Sequence, residues 1–148
     1  MFKKAIVTGG AGFIGSNLVD KLIDMGVEVH VIDNLSTGFE KNLNPKATFW
    51  HRDISKLNPD EPWDELKNTD VVFHLAALAR VQPSIEDPIP FDKVNIGGTL
   101  RMLKLAHNLG VARFVYSASS SAYGNATKFP TPEEHSTNPL SPYGLQKY

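Results

Sequence analysis

The sequence contains no cysteine, which excludes a disulfide framework, a thiolate zinc site and a cysteine nucleophile. It also has no apolar run near the roughly 18 residues that a membrane-spanning helix needs. Neither sign of charge predominates, because 15 basic and 16 acidic side chains leave a formal net charge of -1. Such a chain has no basic field for nucleic acid or anionic lipid, so we expect neither nucleic acid nor a membrane as partner.

What the sequence does contain is typical of one folded domain. A chain of 148 residues is long enough to bury a sizeable core. A hydrophobic content of 41% with 21% charged residues argues against disorder. The first seven residues resemble the start of a signal peptide, but Thr8-Gly9-Gly10 interrupts the apolar run at once. We therefore expect a cytoplasmic location.

Short apolar runs alternate with segments of helical periodicity. This alternation predicts a doubly wound, mostly parallel sheet with helices on both faces. Ligands of such sheets bind beyond the carboxyl ends of the strands. We interpret two proline-rich segments, 83–90 and 130–142, as ordered surface loops. The predicted strands are 5–7, 27–33, 48–50, 71–75 and 113–116, and the predicted helices are 14–25 and 96–109, with Gly26 and Gly110 as C-terminal caps.

A glycine-rich turn follows the first predicted strand and opens the first predicted helix. The run Thr8-Gly9-Gly10-Ala11-Gly12-Phe13-Ile14-Gly15 contains the spacing Gly-x-Gly-x-x-Gly. Glycines here let the chain turn tightly, approach a pyrophosphate closely and pack the helix against the strand, while the helix-start amides hold the phosphates. No Lys-Ser/Thr pair follows, which excludes a nucleoside-triphosphate P-loop. The pattern and its context predict a dinucleotide site of the Rossmann type.

One acidic residue ends the second predicted strand, and another follows the third. Asp33 lies 18 residues after Gly15, where a carboxylate accepts hydrogen bonds from the adenosine ribose and repels a 2′-phosphate. This favours NAD over NADP. Asp53 is a candidate acceptor for the adenine amino group, and the alternative is that it caps a turn or helix.

Tyr143 and Lys147 are four residues apart, on one face of a predicted short helix that Ser141 caps and Pro142 opens. Tyrosine is ordinarily a poor base at neutral pH, and a nearby ammonium and a cationic nicotinamide favour its phenolate form. Tyr143 is therefore a candidate base for a substrate hydroxyl. The cluster Ser117-Ala118-Ser119-Ser120-Ser121 follows the fifth strand, where one hydroxyl can bind the same substrate oxygen.

With these motifs, the chain resembles the extended short-chain dehydrogenase/reductase family, and within it the nucleotide-sugar 4-epimerases of the UDP-glucose 4-epimerase type. The resemblance covers nearly the whole chain in the right order. It is carried by Thr8 to Gly15, Asp33-Asn34-Leu35-Ser36-Thr37-Gly38, His74-Leu75-Ala76-Ala77, Asn95-Ile96-Gly97-Gly98-Thr99 and Ser119 through Lys147.

The resemblance implies a cofactor, NAD, and a set of residues that hold it. Catalysis falls to Ser119, with Ser120 as the fallback, to Tyr143 as the base and to Lys147, which holds the ribose and the phenolate. The implied cofactor-binding residues are Gly9, Gly12, Phe13, Ile14 and Gly15 at the pyrophosphate, Asp33, Asn34, Ser36, Thr37 and Gly38 at the adenosine ribose, Asp53 and Ile54 at adenine, Leu75, Ala76 and Ala77 under the cofactor, and Asn95 close by.

The resemblance further implies a nucleotide-sugar substrate (a UDP-hexose), transient oxidation at C4 to a 4-keto sugar, and a homodimer in the full-length form. Two departures matter. The family pattern has a lysine where this chain has Ala79, so Arg80 either reaches the cofactor or is a surface charge. The family also carries a C-terminal substrate domain, and we expect that this chain stops before it and before the last strands.

Other functions compete with a 4-epimerase. A nucleotide-sugar 4,6-dehydratase needs Asp-Glu after the catalytic hydroxyl, and Ser120-Ser121 stand there instead. The third hypothesis is a module that binds NAD and turns over little, because the sugar-binding half is absent. The five histidines show no metal spacing, and we interpret His74 as a packed, hydrogen-bonded group rather than a ligand.

Overall fold

The computed structural model describes residues 2–148 and divides into two compact units. The first unit contains the chain up to Ala76 together with Gly98–Ser117, and the second contains Ala77–Gly97 together with Ala118–Tyr148. The prediction of an α/β chain is confirmed, since five strands alternate with helices. Among residues 2–148, none of the helices combines the length and the apolar character that crossing a bilayer requires.

The first unit is a parallel five-stranded sheet with the strand order β3-β2-β1-β4-β5. Each neighbouring pair is parallel, with registers such as Val7 opposite Val31 and Val7 opposite Phe73. This is the order of a doubly wound sheet, in which the chain winds outward from β1 in both directions. The strands are β1 (Lys4–Thr8), β2 (Glu28–Asp33), β3 (Thr48–His51), β4 (Val71–His74) and β5 (Arg113–Tyr116).

Two helices belong to this unit, α1 (Phe13–Asp24) and α4 (Thr99–Asn108). Alternate strand residues pack with α1 in one apolar cluster: Ala5, Val7, Val29, Val31 and Val71 with Val19 and Leu22 of α1. Neighbouring residues on the same strands, Ile6, Ile32 and Val72, whose side chains point to the opposite face, are also fully buried, as are Met102 and Leu105 of α4. Both faces of the central strands β1 and β4 are thus largely removed from water, as their continuous apolar runs predict.

The second unit is built from short elements: α2 (Val81–Glu86), α3 (Pro88–Asp92), a π-helical turn (Lys93–Gly98, whose last residue belongs to the first unit) and α5 (Pro142–Gln146). The prediction of a loop over 83–90 is wrong, because α2 and α3 occupy it. Their prolines fall in the first turn of each helix, where the missing amide hydrogen has no intrahelical acceptor. The segment 130–142 has no regular structure before Pro142, as predicted.

The predicted helix over 96–109 is corrected at its start. Regular α-helix begins at Thr99, and the π turn precedes it. The two predicted C-terminal glycines are confirmed in position, because Gly26 and Gly110 have φ values of +78° and +69° just after their helices. A left-handed residue there ends a helix at little cost when it is glycine.

Candidate functional site

The glycine turn leads from the carboxyl end of β1 into α1. Gly9 has a φ of +71°, and a Cβ on it would lie 2.9 Å from the amide nitrogen of Ala76. Only glycine therefore fits where these two backbone segments approach each other. A Cβ on Gly15 would overlap the carbonyl oxygen of Gly9. At Gly12 a Cβ would meet only that same oxygen, at 3.3 Å. The fold itself therefore requires glycine at positions 9 and 15 far more than at position 12.

The start of α1 offers backbone donors for an anion. The first intrahelical bond runs from the Ser16 amide to the Gly12 carbonyl, so the amides of Phe13, Ile14 and Gly15 have no helical acceptor. Gly12 is the N-cap residue, and because it has no side chain it does not cap these amides. The Phe13 side chain is 85% exposed. These donors, with the helix dipole behind them and room at Gly12, fit the pyrophosphate of a dinucleotide.

Asp33 connects this turn to the loop after β2. Its Oδ2 accepts a hydrogen bond from the Ala11 amide at 3.0 Å, and its Oδ1 accepts one from the Leu35 amide at 2.8 Å. The side chain is nearly buried. Each carboxylate oxygen has a second lone pair, so both can still accept a ribose hydroxyl. Asp33 is thus a structural cross-link as well as a candidate ribose ligand.

The loop after β2 packs directly on the glycine turn. A Cβ on Gly38 would lie 2.8 Å from Ala11, and the Phe39 amide donates to the Ala11 carbonyl at 3.2 Å. Asn34 accepts the Ser36 amide through its side chain at 3.0 Å, while the side chains of Ser36 and Thr37 are exposed. The structure therefore brings the predicted ribose and pyrophosphate residues of the first unit together.

Asp53 and Ile54 follow β3. The Asp53 carboxylate accepts the amide and the hydroxyl of Ser55 at 2.9 and 2.7 Å, so it caps a turn, which is the alternative weighed from the sequence. Burial acts to raise the pKa of Asp53, but the Ser55 bonds and the nearby Lys56 outweigh it and hold that pKa below its ordinary value. Ile54 is buried. The adenine contact of both residues stays a prediction.

The carboxyl end of β4 contains a buried hydrogen-bond chain that links Thr8, His74 and Thr99. The Thr8 hydroxyl oxygen accepts the amides of Leu75 and Ala76, both at 3.1 Å, so its own proton goes to Nδ1 of His74 at 2.8 Å. Nε2 of His74 then carries the ring proton and donates to the Thr99 hydroxyl at 2.9 Å. The prediction that His74 is packed and hydrogen-bonded is confirmed.

In the second unit, Ser119 and Lys147 line the same pocket, a cavity of about 380 Å³. Ser119 caps the 3₁₀ turn Ser120–Ala122, where its hydroxyl accepts the Ser121 amide at 3.2 Å. Ser120 is exposed and lies on that turn. The other lining residues are Ala118, Ala122, Tyr123, Thr137 and Tyr148.

Tyr143 and Lys147 both belong to the last helix, as predicted, but Lys147 is its C-terminal cap rather than an interior residue. The Lys147 amide donates to the Tyr143 carbonyl at 3.1 Å. The Tyr143 side chain is half-buried, and Lys147 is 5% exposed. Burial lowers the pKa of the Lys147 ammonium. The predicted N-terminal signals are confirmed, since Ser141 accepts the Gly144 amide at 3.0 Å and Pro142 opens the helix.

Asn95 is 2% exposed and lies on the π turn. Its side chain pairs with the backbone of Leu78, accepting the amide at 2.8 Å and donating to the carbonyl at 3.0 Å, and also donates to Oε1 of Gln146 at 3.1 Å. Arg80 is exposed, has a φ of +94° and immediately precedes α2. Ala77 is half-buried. The cofactor contacts of these three predicted residues stay predictions.

Sequence reasoning missed two polar residues of this unit, Ser84 and Gln146. Ser84 is fully buried, and its hydroxyl accepts the Tyr143 amide at 3.1 Å. Gln146 is 9% exposed and bonds Asn95. Neither position carries a sequence signal, because only the folded chain brings residues 59 and 51 positions apart together. Among residues 2–148, no cluster of His, Cys, Asp and Glu side chains is arranged to hold a metal ion.

A sheet of this order, with a glycine turn after β1 and an acid at the end of β2, is typical of dinucleotide-binding proteins. The NAD dependent epimerase/dehydratase family profile matches residues 5–148, and the chain belongs to that family. It is 37% identical over 150 residues to the UDP-glucose 4-epimerase of Lactobacillus helveticus, covering 97% of this chain and 44% of that protein. The chain spans about half the length of the curated relatives it matches.

Solved structures give the same result. The chain is similar to a UDP-glucose 4-epimerase of Thermotoga maritima in complex with UDP-glucose, with a TM-score of 0.91, 45% identity and coverage of 98% of this chain and 48% of that one. The Thermus thermophilus UDP-glucose 4-epimerase, solved with NAD, gives a TM-score of 0.85 and 36% identity, with 97% of this chain and 47% of that one covered. An NAD dependent NDP-hexosamine 5,6-dehydratase gives a TM-score of 0.85 and 30% identity, with 98% of this chain and 46% of that one covered.

Proposed function

We propose that the chain is the NAD-binding part of a nucleotide-sugar 4-epimerase. The observation that carries the cofactor proposal is the arrangement around Asp33, whose carboxylate bonds the glycine turn while keeping lone pairs for a ribose. The uncapped amides of α1 next to it suit a pyrophosphate. Family membership supports the same cofactor.

Three residues of the second unit supply the proposed chemistry on the sugar. Tyr143 takes the proton of the sugar 4-hydroxyl and later returns it, and Ser119 holds that oxygen through its hydroxyl. Lys147 holds the ribose and stabilises the phenolate by its charge. Bound NAD would supply reversible hydride transfer at C4, so the sugar would pass through a 4-keto form and C4 would be inverted when the hydride returns to the opposite face. The shared pocket supports the assignments of Ser119 and Lys147, whereas Tyr143 is not among the residues that line it.

The substrate we propose is a UDP-hexose, as in the relatives named UDP-glucose 4-epimerase. Because the chain spans about half of those relatives, we propose that it binds NAD by itself with little or no turnover. A homodimer of the full-length form and a cytoplasmic location stay predictions from the sequence.

A dehydratase is the second candidate, favoured by the similarity to the NDP-hexosamine 5,6-dehydratase. Ser120 and Ser121, rather than an acidic pair, follow Ser119 in this chain. Hydroxyls are poor acids and bases for removing water from a sugar, whereas epimerisation needs no acid or base besides Tyr143, since the hydride transfer belongs to the cofactor. The residues therefore favour the epimerase.

The proposal is tested by titrating the chain with NAD in a calorimeter and by incubating it with NAD and UDP-glucose. We expect one NAD per chain and UDP-galactose at a low rate or not at all. A folded chain with no affinity for oxidised or reduced NAD contradicts the cofactor proposal. A dehydrated sugar as product, such as a 4-keto-6-deoxy sugar, would establish a dehydratase instead.

A further inference from the structure

Helix α5 carries both Tyr143 and Lys147, yet it has only five residues. A helix this short is unstable in isolation, because its few hydrogen bonds do not repay the entropy of nucleation. Its place in the second unit therefore depends on what holds it. The structure shows two buried hydrogen-bonded links, one at each end of α5.

The first link holds the N-terminal end. The fully buried hydroxyl of Ser84, on α2, accepts the backbone amide of Tyr143 at 3.1 Å and donates to the Val81 carbonyl at 2.6 Å. The Tyr143 amide is in the first turn of α5, so it has no intrahelical acceptor. Ser84 thus satisfies that amide and fixes the backbone of the residue proposed as the base.

The second link holds the C-terminal end. Oε1 of Gln146, the residue before Lys147, accepts from Nδ2 of Asn95 at 3.1 Å. Asn95 is itself fixed by its two bonds with the Leu78 backbone. It lies on the π turn, and π turns inside helices are frequent at functional sites.

A buried glutamine is a costly way to fill space. Its amide must be hydrogen-bonded to offset the loss of water, whereas a methionine of similar size would pack without that requirement. A buried polar pair admits one arrangement of its partners where an apolar contact admits several. The Asn95–Gln146 bond is therefore suited to fixing the rotation of the last turn of α5.

We propose that Ser84 and the Asn95–Gln146 pair are positioning residues that set where α5 presents Tyr143 and Lys147. The inference rests on the proposed function for the roles of those two residues. Loosening either link leaves the glycine turn and Asp33 of the first unit in place, because none of the residues in the links belongs to that unit. The predicted consequence is a selective loss of the contacts that depend on Lys147.

The test compares Gln146→Met, which removes the acceptor at nearly constant volume, with Leu145→Ala, a change on the neighbouring residue, which is 60% exposed. NAD and ADP are titrated into each variant and into the unsubstituted chain. ADP contains the groups assigned to the glycine turn and Asp33 but no nicotinamide ribose. We expect Gln146→Met to weaken NAD binding about tenfold or more and ADP binding less than about twofold, because misplacement by an ångström abolishes a contact.

A second readout needs no ligand. Acylation of lysines is followed against pH by peptide mass spectrometry, with the exposed Lys46 as the internal reference. Burial holds the pKa of Lys147 low, so its labelling midpoint in the unsubstituted chain should lie below the ordinary range of a lysine. In Gln146→Met the midpoint of Lys147 should move up toward that range, and in Leu145→Ala it should not move. If Gln146→Met does not fold, Ser84→Ala is measured by the same two readouts.

Equal weakening of NAD and ADP would overturn the proposal, because it would mean general destabilisation. So would a folded Gln146→Met that matches Leu145→Ala in both readouts. If neither nucleotide binds the unsubstituted chain, the proposed function is wrong, and the midpoint of Lys147 alone decides whether the links position α5.

Discussion

Gly12 and Gly15 lie three residues apart in the same turn, yet a methyl group on each would meet different surroundings. At Gly15 it would overlap the Gly9 carbonyl and lie 2.8 Å from Cα of Gly10, all of it backbone that cannot yield. At Gly12 the single contact is 3.3 Å, and the φ of -79° suits any residue. The fold thus explains glycine at position 15 but not glycine at position 12, where the proposed pyrophosphate contact would explain it.

We predict that Gly15→Ala lowers the free energy of unfolding by about 2–3 kcal/mol, as overpacking does. Gly12→Ala should change it by less than about 1 kcal/mol while weakening NAD binding more than about tenfold, since its methyl group occupies the place where a pyrophosphate approaches. Urea unfolding without ligand and calorimetric titration with NAD separate the two effects. Full NAD affinity in Gly12→Ala would contradict the phosphate assignment.

The burial of Lys147 leads to a prediction on how the stability of the chain depends on pH. Burial lowers the pKa of Lys147 in the folded chain below the value it has when unfolded. The cost of the buried charge is therefore fully present below the folded pKa and disappears as the pH rises through the window between the folded and the ordinary pKa. Lys147→Met removes this cost, so we expect the variant to be at least as stable as the unsubstituted chain at pH 7, with the difference falling toward pH 10.

Urea unfolding of both chains at several pH values between 7 and 10 measures that difference, and groups common to both cancel. A difference that does not change with pH would contradict the desolvation argument. NAD affinity should fall in the same variant, because the group proposed to hold the ribose is lost. A gain in stability with a loss of binding is the expected signature of a residue kept for function.

At the level of secondary-structure elements, the packing of α5 against the 3₁₀ turn Ser120–Ala122 depends on Gly144. A Cβ there would lie 2.7 Å from the Ser121 carbonyl oxygen and 3.3 Å from Cβ of Pro139. We predict that Gly144→Ala costs about 1–3 kcal/mol of unfolding free energy and speeds amide hydrogen exchange in α5. Gly97→Ala is the matched control, because its Cβ would have its nearest neighbour at 3.9 Å. The control should be neutral or slightly stabilising, and equal behaviour of the two would refute the packing argument.

Local patterns predicted most of the elements. The sheet strands and α1 were predicted within one or two residues, because strong apolar runs and the glycine caps at positions 26 and 110 are local signals. The helices over 81–92 were not, since Pro83, Pro88 and Pro90 indicate a loop unless one knows that they fall in first turns. A proline pattern alone does not distinguish these two cases.

The candidate site divides in the same way. The glycine turn, Asp33, Tyr143 and Lys147 were predicted because spacing within the chain carries their chemistry. The residues that hold them were not predicted: Ser84 and Gln146 find their partners 59 and 51 residues away. The π turn under Asn95 likewise depends on tertiary packing, which no local periodicity encodes.

At the scale of the whole molecule, β5 is an edge strand of the sheet, with Val115 41% exposed. An open edge presents unpaired backbone groups to other chains. We predict that the chain self-associates with rising concentration in sedimentation velocity runs, and that Val115→Lys reduces this association because charge on an edge strand opposes pairing. Leu103→Lys, which changes a 44% exposed side chain on α4, tests whether the helix face contributes instead. A concentration-independent monomer would contradict the prediction.

Ligand binding should be visible in the stability of the whole chain. A ligand that binds only the folded state adds about 2.7 kcal/mol at a hundred times its Kd, which for a chain of this size raises Tm by roughly 5–10 °C. We expect this shift with NAD and a much smaller one with NADP at the same concentration, because the Asp33 carboxylate repels a 2′-phosphate.

The variant Asp33→Asn should narrow the preference for NAD over NADP. It should also lower Tm without ligand, since its amide nitrogen cannot accept the second of the two backbone bonds, and a lost bond of this kind costs about 1–2 kcal/mol. Thermal scans of both chains with each nucleotide check this, and equal shifts with NAD and NADP in the unsubstituted chain would show that Asp33 does not face the ribose.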